Sequence, residues 1–195
     1  MPGSWLVVGV AVVLGFFVGA VSPATIIAKA RYVDLRQGSG NPGATNVGRV
    51  LGVRWGVAVG MLDVLKGLAP TLLALWLGDR VMAYAVGLAC VLGHVLSPFL
   101  RGRGGKGVAT SMGAVLAVFP WFALGMFAVF GLMLWRTRWV AGSSLVAAGL
   151  LGLYAALAPL PEPVAVGRAW GIGIALIVIG RHHGNIRRWV RRRLT

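Results

Sequence analysis

The sequence predicts an all-α fold: a polytopic membrane helical bundle of about seven transmembrane helices, some of them short. Three observations predict it. Apolar residues make up 58% of the chain and charged residues 12%, about half the charge of a typical soluble domain. Uncharged runs such as Trp5 to Ala28, Met82 to Leu100 and Val140 to Leu160 approach or exceed the roughly 18 to 20 apolar residues that a helix needs to cross a bilayer. The charges that do occur lie in clusters between and after those runs, in the positive-inside pattern. The whole chain, residues 1–195, reads as a single membrane-embedded domain with no internal repeat.

Taken in order, the first span runs from about Ser4 to Lys29. Gly15 and Gly19 stand in it at the small-xxx-small spacing that lets helices approach closely. No basic residue precedes the apolar run from Trp5, whereas Lys29, Arg31 and Arg36 follow it. This asymmetry speaks against a signal peptide and places the N-terminus outside and the next loop in the cytoplasm. That loop, Arg31 to Arg54, is the longest polar stretch, and a short helix is expected to begin in it near Ala44. A second span, about Trp55 to Leu77, leads to a short outer turn at Asp79 and Arg80. A third, about Val81 to Leu100, returns to the basic loop Arg101 to Lys106. Between Gly107 and Trp135, Pro120 divides the apolar run, since proline removes a backbone donor and disfavours helix in the residue before it. Two short helices that enter and return would keep Arg136 and Arg138 on the cytoplasmic side, so a hairpin is expected here. A span over about Val140 to Ala158, an outer turn at Pro159 to Pro163 and a last span over about Val164 to Gly180 bring the basic tail, Arg181 to Arg193, and the C-terminus to the cytoplasm.

The net charge of +15 would suggest nucleic acid in a soluble protein. Here the cations flank spans, where they fix topology and contact anionic lipid heads, so membrane lipids rather than nucleic acid are the expected partners. The single cysteine, Cys90, permits no intrachain disulfide. One Cys and three His at these spacings build no metal site, and no metal is expected. Asp63 and Lys66, inside the second span, need partners because charge is expensive there. Their i, i+3 spacing lets them pair. His94, in the inner half of the third span, reads equally as a site residue and as a structural histidine.

Three polar segments remain, and this topology puts all of them at one membrane face. The first, GSGNPGATN from Gly38 to Asn46 with Arg49 beyond it, is rich in residues that allow turned backbone. Successive amides in such turns form anion-binding nests, a helix start adds its positive end, and Arg49 offers a forked donor suited to phosphate. The second, Arg101-Gly102-Arg103-Gly104-Gly105-Lys106-Gly107 running into Thr110, sets glycines and a lysine before a helix start. It departs from the Walker pattern because Gly107 follows the lysine, so it fits a smaller phosphate rather than nucleotide hydrolysis. In the third, Arg181-His182-His183-Gly184-Asn185, His182 and Asn185 share one helix face if the helix continues. There a histidine can serve as a base or as a donor to phosphate. On residues alone, a transporter or binding protein for small phosphorylated metabolites stays open beside an enzyme.

These segments, GSGNPGATNVGRVLG, DVLKG, GHVLSPFLRGRGGKGVAT, TRWVAGSS and RHHGN, resemble in order and spacing the bacterial PlsY family of acyl-phosphate glycerol-3-phosphate acyltransferases. The resemblance covers nearly the whole chain. It implies a seven-helix membrane fold in the bacterial inner membrane, with the active site at the cytoplasmic face. It implies transfer of a fatty acyl group from acyl-phosphate to the 1-hydroxyl of glycerol-3-phosphate, giving 1-acyl-glycerol-3-phosphate and phosphate without cofactor. Carried over by position, it implies Ser39, Arg49, Lys106, His182 and Asn185 as catalytic residues. Gly38, Gly40, Asn41, Thr45, Asn46, Gly104, Gly105, Gly107 and Ser144 are implied for binding substrate phosphate. The chain departs from the family pattern at Trp139, Ala141 and Gly142, at His183 and Gly184, and in its acid-free, Arg-rich tail.

Overall fold

Breaks in apolar helices leave carbonyls without partners, and in lipid each such group costs several kcal/mol unless protein satisfies it. The first span shows how this chain answers that demand. In the computed structural model, which describes residues 3–194, helix α1 (Gly3–Ala20) stops and α2 (Pro23–Ala30) starts after a two-residue break. Pro23 sits in the first turn of α2, where its missing N–H costs nothing, and the Ser22 hydroxyl caps that turn by accepting from the Thr25 amide at 3.2 Å. The carbonyls exposed at the break are taken up from other helices. Ser97 Oγ donates to Ala20 O at 2.7 Å, and Lys66 Nζ donates to Val21 O at 2.7 Å. Lys66 in turn pairs with Asp63 at 2.9 Å, both side chains being buried. The expected single span is therefore a broken one, and the buried lysine is the partner of the break.

All regular structure among the described residues is helical. The chain divides into two compact units, Met1–Pro120 and Trp121–Thr195. The first contains α1, α2, a 3-10 turn at Leu35–Gln37, α3 (Ala44–Leu51), α4 (Val53–Leu77), α5 (Arg80–Leu96), a 3-10 turn at Pro98–Leu100 and α6 (Val108–Val118). Asp79 caps α5 by accepting from the Met82 amide at 2.8 Å. The expected small-residue contact is made: Gly19 lies against the Cys90 backbone, and reciprocally Gly93 of α5 lies against the Phe16 backbone. The pair α4 and α6 repeats the device. A Cβ on Gly67 would strike the Thr110 carbonyl, and one on Gly113 would strike the Val64 carbonyl. Lipid gives helices no hydrophobic reason to associate, so close backbone approach through small residues supplies the contact energy.

The second unit is built on α7 (Pro120–Thr137), α8 (Val140–Leu157), α9 (Val164–Arg181) and α10 (His183–Leu194). α8 lies along α9, with Gly171 against Ala155 and Gly152 against Ala175. Phe122 of α7 stacks on Tyr154 of α8 at 3.9 Å between ring centroids. Pro120 does divide the ambiguous apolar run, but unequally. Among the described residues six helical segments are long and apolar enough to span a membrane, and α7 is among them. α6 has 11 residues, about 16 Å at the helical rise, and is too short to cross alone. Only the first of the two expected short helices is short, because Pro120 opens a full-length helix rather than halving a region.

Gly113→Leu is expected to force α4 and α6 apart at a cost of about 1–3 kcal/mol, read as a lower melting temperature of the detergent-solubilised protein. Gly125→Leu on α7, where a Cβ meets nothing within 4 Å, is the control that leaves the melt unchanged.

Candidate active site

The first polar segment is a loop held from inside by one amide. Asp34 starts it by capping the 3-10 turn, accepting from the Arg36 amide at 2.9 Å and from its guanidinium at 2.9 and 3.1 Å. These bonds keep the Asp34 carboxyl below the usual carboxylate range. Its charge, and the cap with it, is therefore present at neutral pH and fails only in acid, as the pH drops through that lowered value. The chain then folds back so that Asn46, in the first turn of α3, receives the Ser39 amide on Oδ1 at 2.7 Å and donates Nδ2 to Leu35 O at 2.8 Å. Gly38 lies directly against that amide, with no room for a Cβ, and Gly40 has φ of +72°, a region that favours glycine. Asn46 is 1% exposed. It was expected to bind substrate phosphate, and what the structure displays is its side chain bracing the loop. Thr45 and Arg49, four residues apart, project together from the exposed side of α3, and Ser39 is exposed before it. Beneath, Ala24, Val47 and Val59 form a buried cluster with Leu35, Leu51 and Trp55 around it. The Arg31 guanidinium lies 4.3 Å over the Trp55 ring.

The second segment is stapled to the end of α5. Gly104 N donates to Val95 O and Gly105 N to His94 O, both at 3.1 Å. Side chains are excluded there: a Cβ on Gly104 would strike the His94 carbonyl and one on Gly105 the His94 ring. Gly107 caps α6 with φ of +83°. Lys106, half-buried, is thus held between two glycines fixed to α5 and a third that opens α6. The first amides of α6 have no intrahelical acceptor and carry the positive end of the helix dipole. At this same helix end the buried hydroxyls of Thr110 and Ser111 have no hydrogen-bond partner among the described residues. Those two were not singled out from sequence, since Ser and Thr are ordinary in a membrane helix; only their burial without a partner marks them.

In the second unit His182 occupies a one-residue joint. It ends α9, and its carbonyl accepts the Asn185 amide at 2.8 Å as α10 begins. The helix does not run on unbroken through this point, but the joint keeps Asn185 one turn beyond His182. His182 is 1% exposed, and its Nδ1 lies 2.8 Å from Val178 O. A carbonyl only accepts, so Nδ1 carries the hydrogen. Ser144 is buried in the second turn of α8 and donates to Val140 O at 2.8 Å, which leaves its oxygen as an acceptor.

Two of the departures from the family pattern, Trp139 and Gly142, are in contact. The Trp139 ring covers Gly142 so closely that no Cβ fits, and it stacks on Trp189 of α10 at 5.8 Å with planes 11° apart. A larger aromatic, the smallest residue and an aromatic from the Arg-rich tail form one contact.

Ser39, Thr45, Asn46 and Arg49 therefore form one group and the Gly104–Gly107 loop a second, both in the first unit, while Ser144, His182 and Asn185 belong to the second unit. Asn46→Ala should free the first loop at a cost of about 2 kcal/mol, because the Ser39 amide and the Leu35 carbonyl lose their partners; melting with and without the variant measures it. Trp189→Ala should remove about 1 kcal/mol of aromatic contact, detected as faster amide hydrogen exchange over residues 183–190 with exchange in α8 unchanged.

A family model described as glycerol-3-phosphate acyltransferase matches residues 9–192. The chain is 45% identical over 178 residues to a glycerol-3-phosphate acyltransferase of Geobacter sulfurreducens, covering 90% of each. It is 42% identical over 182 residues to one of Aquifex aeolicus, covering 91% of this chain and 92% of that protein. Among solved structures it is similar to PlsY, an integral membrane glycerol 3-phosphate acyltransferase, in its glycerol 3-phosphate form (TM-score 0.88) and its lysophosphatidic acid form (TM-score 0.87). Identity is 39% in both, over 95% of this chain and 93% of that one. With the family model and these relatives all spanning nearly its full length, this multi-pass membrane chain belongs to the glycerol-3-phosphate acyltransferase family of enzymes.

Proposed function

We propose that the protein transfers a fatty acyl group from acyl-phosphate to the 1-hydroxyl of glycerol-3-phosphate, releasing 1-acyl-glycerol-3-phosphate and phosphate. The observation that carries this reading is the glycine loop before α6. Two glycines are fixed to α5, Lys106 follows them, and first-turn amides stand beside it: a cradle for a phosphate group rather than for a nucleotide. Family membership favours an enzyme over a transporter of phosphorylated metabolites, and no specific feature of the fold favours the latter.

In this reading residues 1–195 form a single membrane-embedded acyltransferase domain. Arg49 and Lys106 neutralise two phosphate-bearing substrates that would otherwise repel each other, and Ser39, Thr45 and Ser144 add hydrogen bonds. Gly38, Gly40 and Asn41 shape the first loop as Gly104, Gly105 and Gly107 shape the second. Held together, the reactants gain the proximity that lowers a bimolecular barrier by several kcal/mol. Nε2 of His182, with Asn185 beside it, accepts a hydrogen bond from the attacking hydroxyl and aligns its oxygen on the acyl carbonyl. The new ester C–O bond forms as the bond from the acyl carbon to phosphate oxygen breaks; phosphate leaves with the electron pair, and the hydroxyl proton ends on the released phosphate. Acyl-phosphate is already activated, so no covalent acyl-enzyme is required. The setting proposed is the bacterial inner membrane with this site at its cytoplasmic face, where both phosphorylated substrates are soluble or interfacial.

Purified protein should release phosphate from acyl-phosphate only when glycerol-3-phosphate is present, and should yield no product with acyl-CoA. Arg49→Ala and Lys106→Ala should each lower turnover by about 100-fold or more, as removal of a preorganised charge-stabilising donor does. Activity with acyl-CoA alone would overturn the donor, and full activity in both variants would overturn the site.

A further inference from the structure

Asp63, Lys66 and His94 have no part in the chemistry above, yet they stand directly behind the glycine loop. Ionisable side chains inside membrane spans are costly and mark function by default. Lys66 is accounted for by Asp63 and by the broken first span. His94 is not. Its Nδ1 lies 3.5 Å from Asp63 Oδ1, the oxygen that also takes Lys66. With that edge turned to the carboxylate, the opposite edge meets the loop: Nε2 is the atom nearest to where a Gly105 Cβ would be, followed by Cε1 and Cδ2. The backbone of the same turn takes the two loop amides, Gly104 on Val95 O and Gly105 on His94 O. One residue thus contacts the loop through both its main chain and its ring, at the glycine immediately before Lys106. Simple filling of this space does not call for charge, since apolar residues of similar volume often replace a buried ion pair without loss. What a carboxylate adds is a fixed ring orientation, as carboxylates do for histidines that support metal sites.

We propose that Asp63 and His94 are positioning residues of the acyltransferase. The Asp63 carboxylate sets the plane of the His94 imidazole, and the imidazole fixes Gly104 and Gly105 so that Lys106 and the loop amides meet a substrate phosphate in one geometry. This inference rests on the phosphate-binding reading of the loop given above.

The test is steady-state kinetics on the purified full chain with acyl-phosphate and glycerol-3-phosphate. His94→Leu and the charge-neutral pair Asp63→Asn with Lys66→Met should raise KM for one of the two substrates about tenfold with kcat within about threefold, the mark of lost ground-state binding. His94→Gln, whose amide reaches the Nε2 position under Gly105, should recover most of that loss. Parental KM for both substrates in His94→Leu, with only the melting temperature lowered, would assign the cluster to folding alone and overturn the proposal. Gly105→Ala supplies an independent arm should the buried variants not accumulate. It displaces the loop from the ring side, and the same KM rise is expected, while a parental KM overturns the proposal. Wild-type protein run alongside reports separately on the reaction: no phosphate release there would sink the acyltransferase reading itself.

Discussion

The ion pair of Lys66 and Asp63 is the constraint on which the first unit depends. A lysine inside a span is tolerable only if its charge is met and its hydrogens are bonded. Here Asp63 meets the charge, and the Val21 carbonyl takes a hydrogen bond at 2.7 Å. That carbonyl is available only because the first helix breaks before Pro23. The break and the buried charge are therefore mutually required. Either one alone leaves a polar group stranded in an apolar interior, the costliest defect available to a membrane fold. Together they tie α1, α2 and α4 to one point, and Asp63 carries the connection on to His94 in α5.

From that point the polar loops follow by short links. His94 and Val95 carry Gly104 and Gly105, and Gly107 opens α6 immediately afterwards. The first loop is held differently, by a neutral amide rather than by charge. Asn46 offers one acceptor and one donor to main chain eleven residues apart or less, and the cluster around Val47 fixes the helix that bears it. Arg49 projects from the exposed side of α3, and Lys106 follows the two glycines fixed to α5. Rigid loops carrying cations are what a site for two anionic reactants demands, since preorganised donors lose little entropy when the substrate arrives.

The second unit meets the same demands with less charge. His182 spends Nδ1 on a backbone carbonyl at a helix joint, which fixes its tautomer without a carboxylate. Ser144 donates to the preceding turn and keeps its acceptor capacity. Trp139, Gly142 and Trp189 form one contact. A tryptophan over position 142 leaves no space for a side chain there, and the ring finds its second neighbour in the tail.

Much of this was legible in residue order alone. Hydropathy located the spans because bilayer thickness sets a length that composition either meets or does not. Gly19 marked a helix contact because only a missing Cβ allows such approach. The polar segments around Arg49, Lys106 and His182 stood out because polar residues are conspicuous in an apolar chain. Tertiary structure alone decided which polar groups were already committed. Asn46 reads in sequence like any loop amide, and only its burial between Ser39 and Leu35 shows that it holds the loop. Nothing local marks the break at Val21 as the destination of Lys66, or His94 as the support of Gly105, because those partners lie 45 and 11 positions apart in sequence. Hydrogen bonds between distant segments are chosen by which helices come to lie side by side, and a linear pattern records each partner's chemistry without recording the pairing.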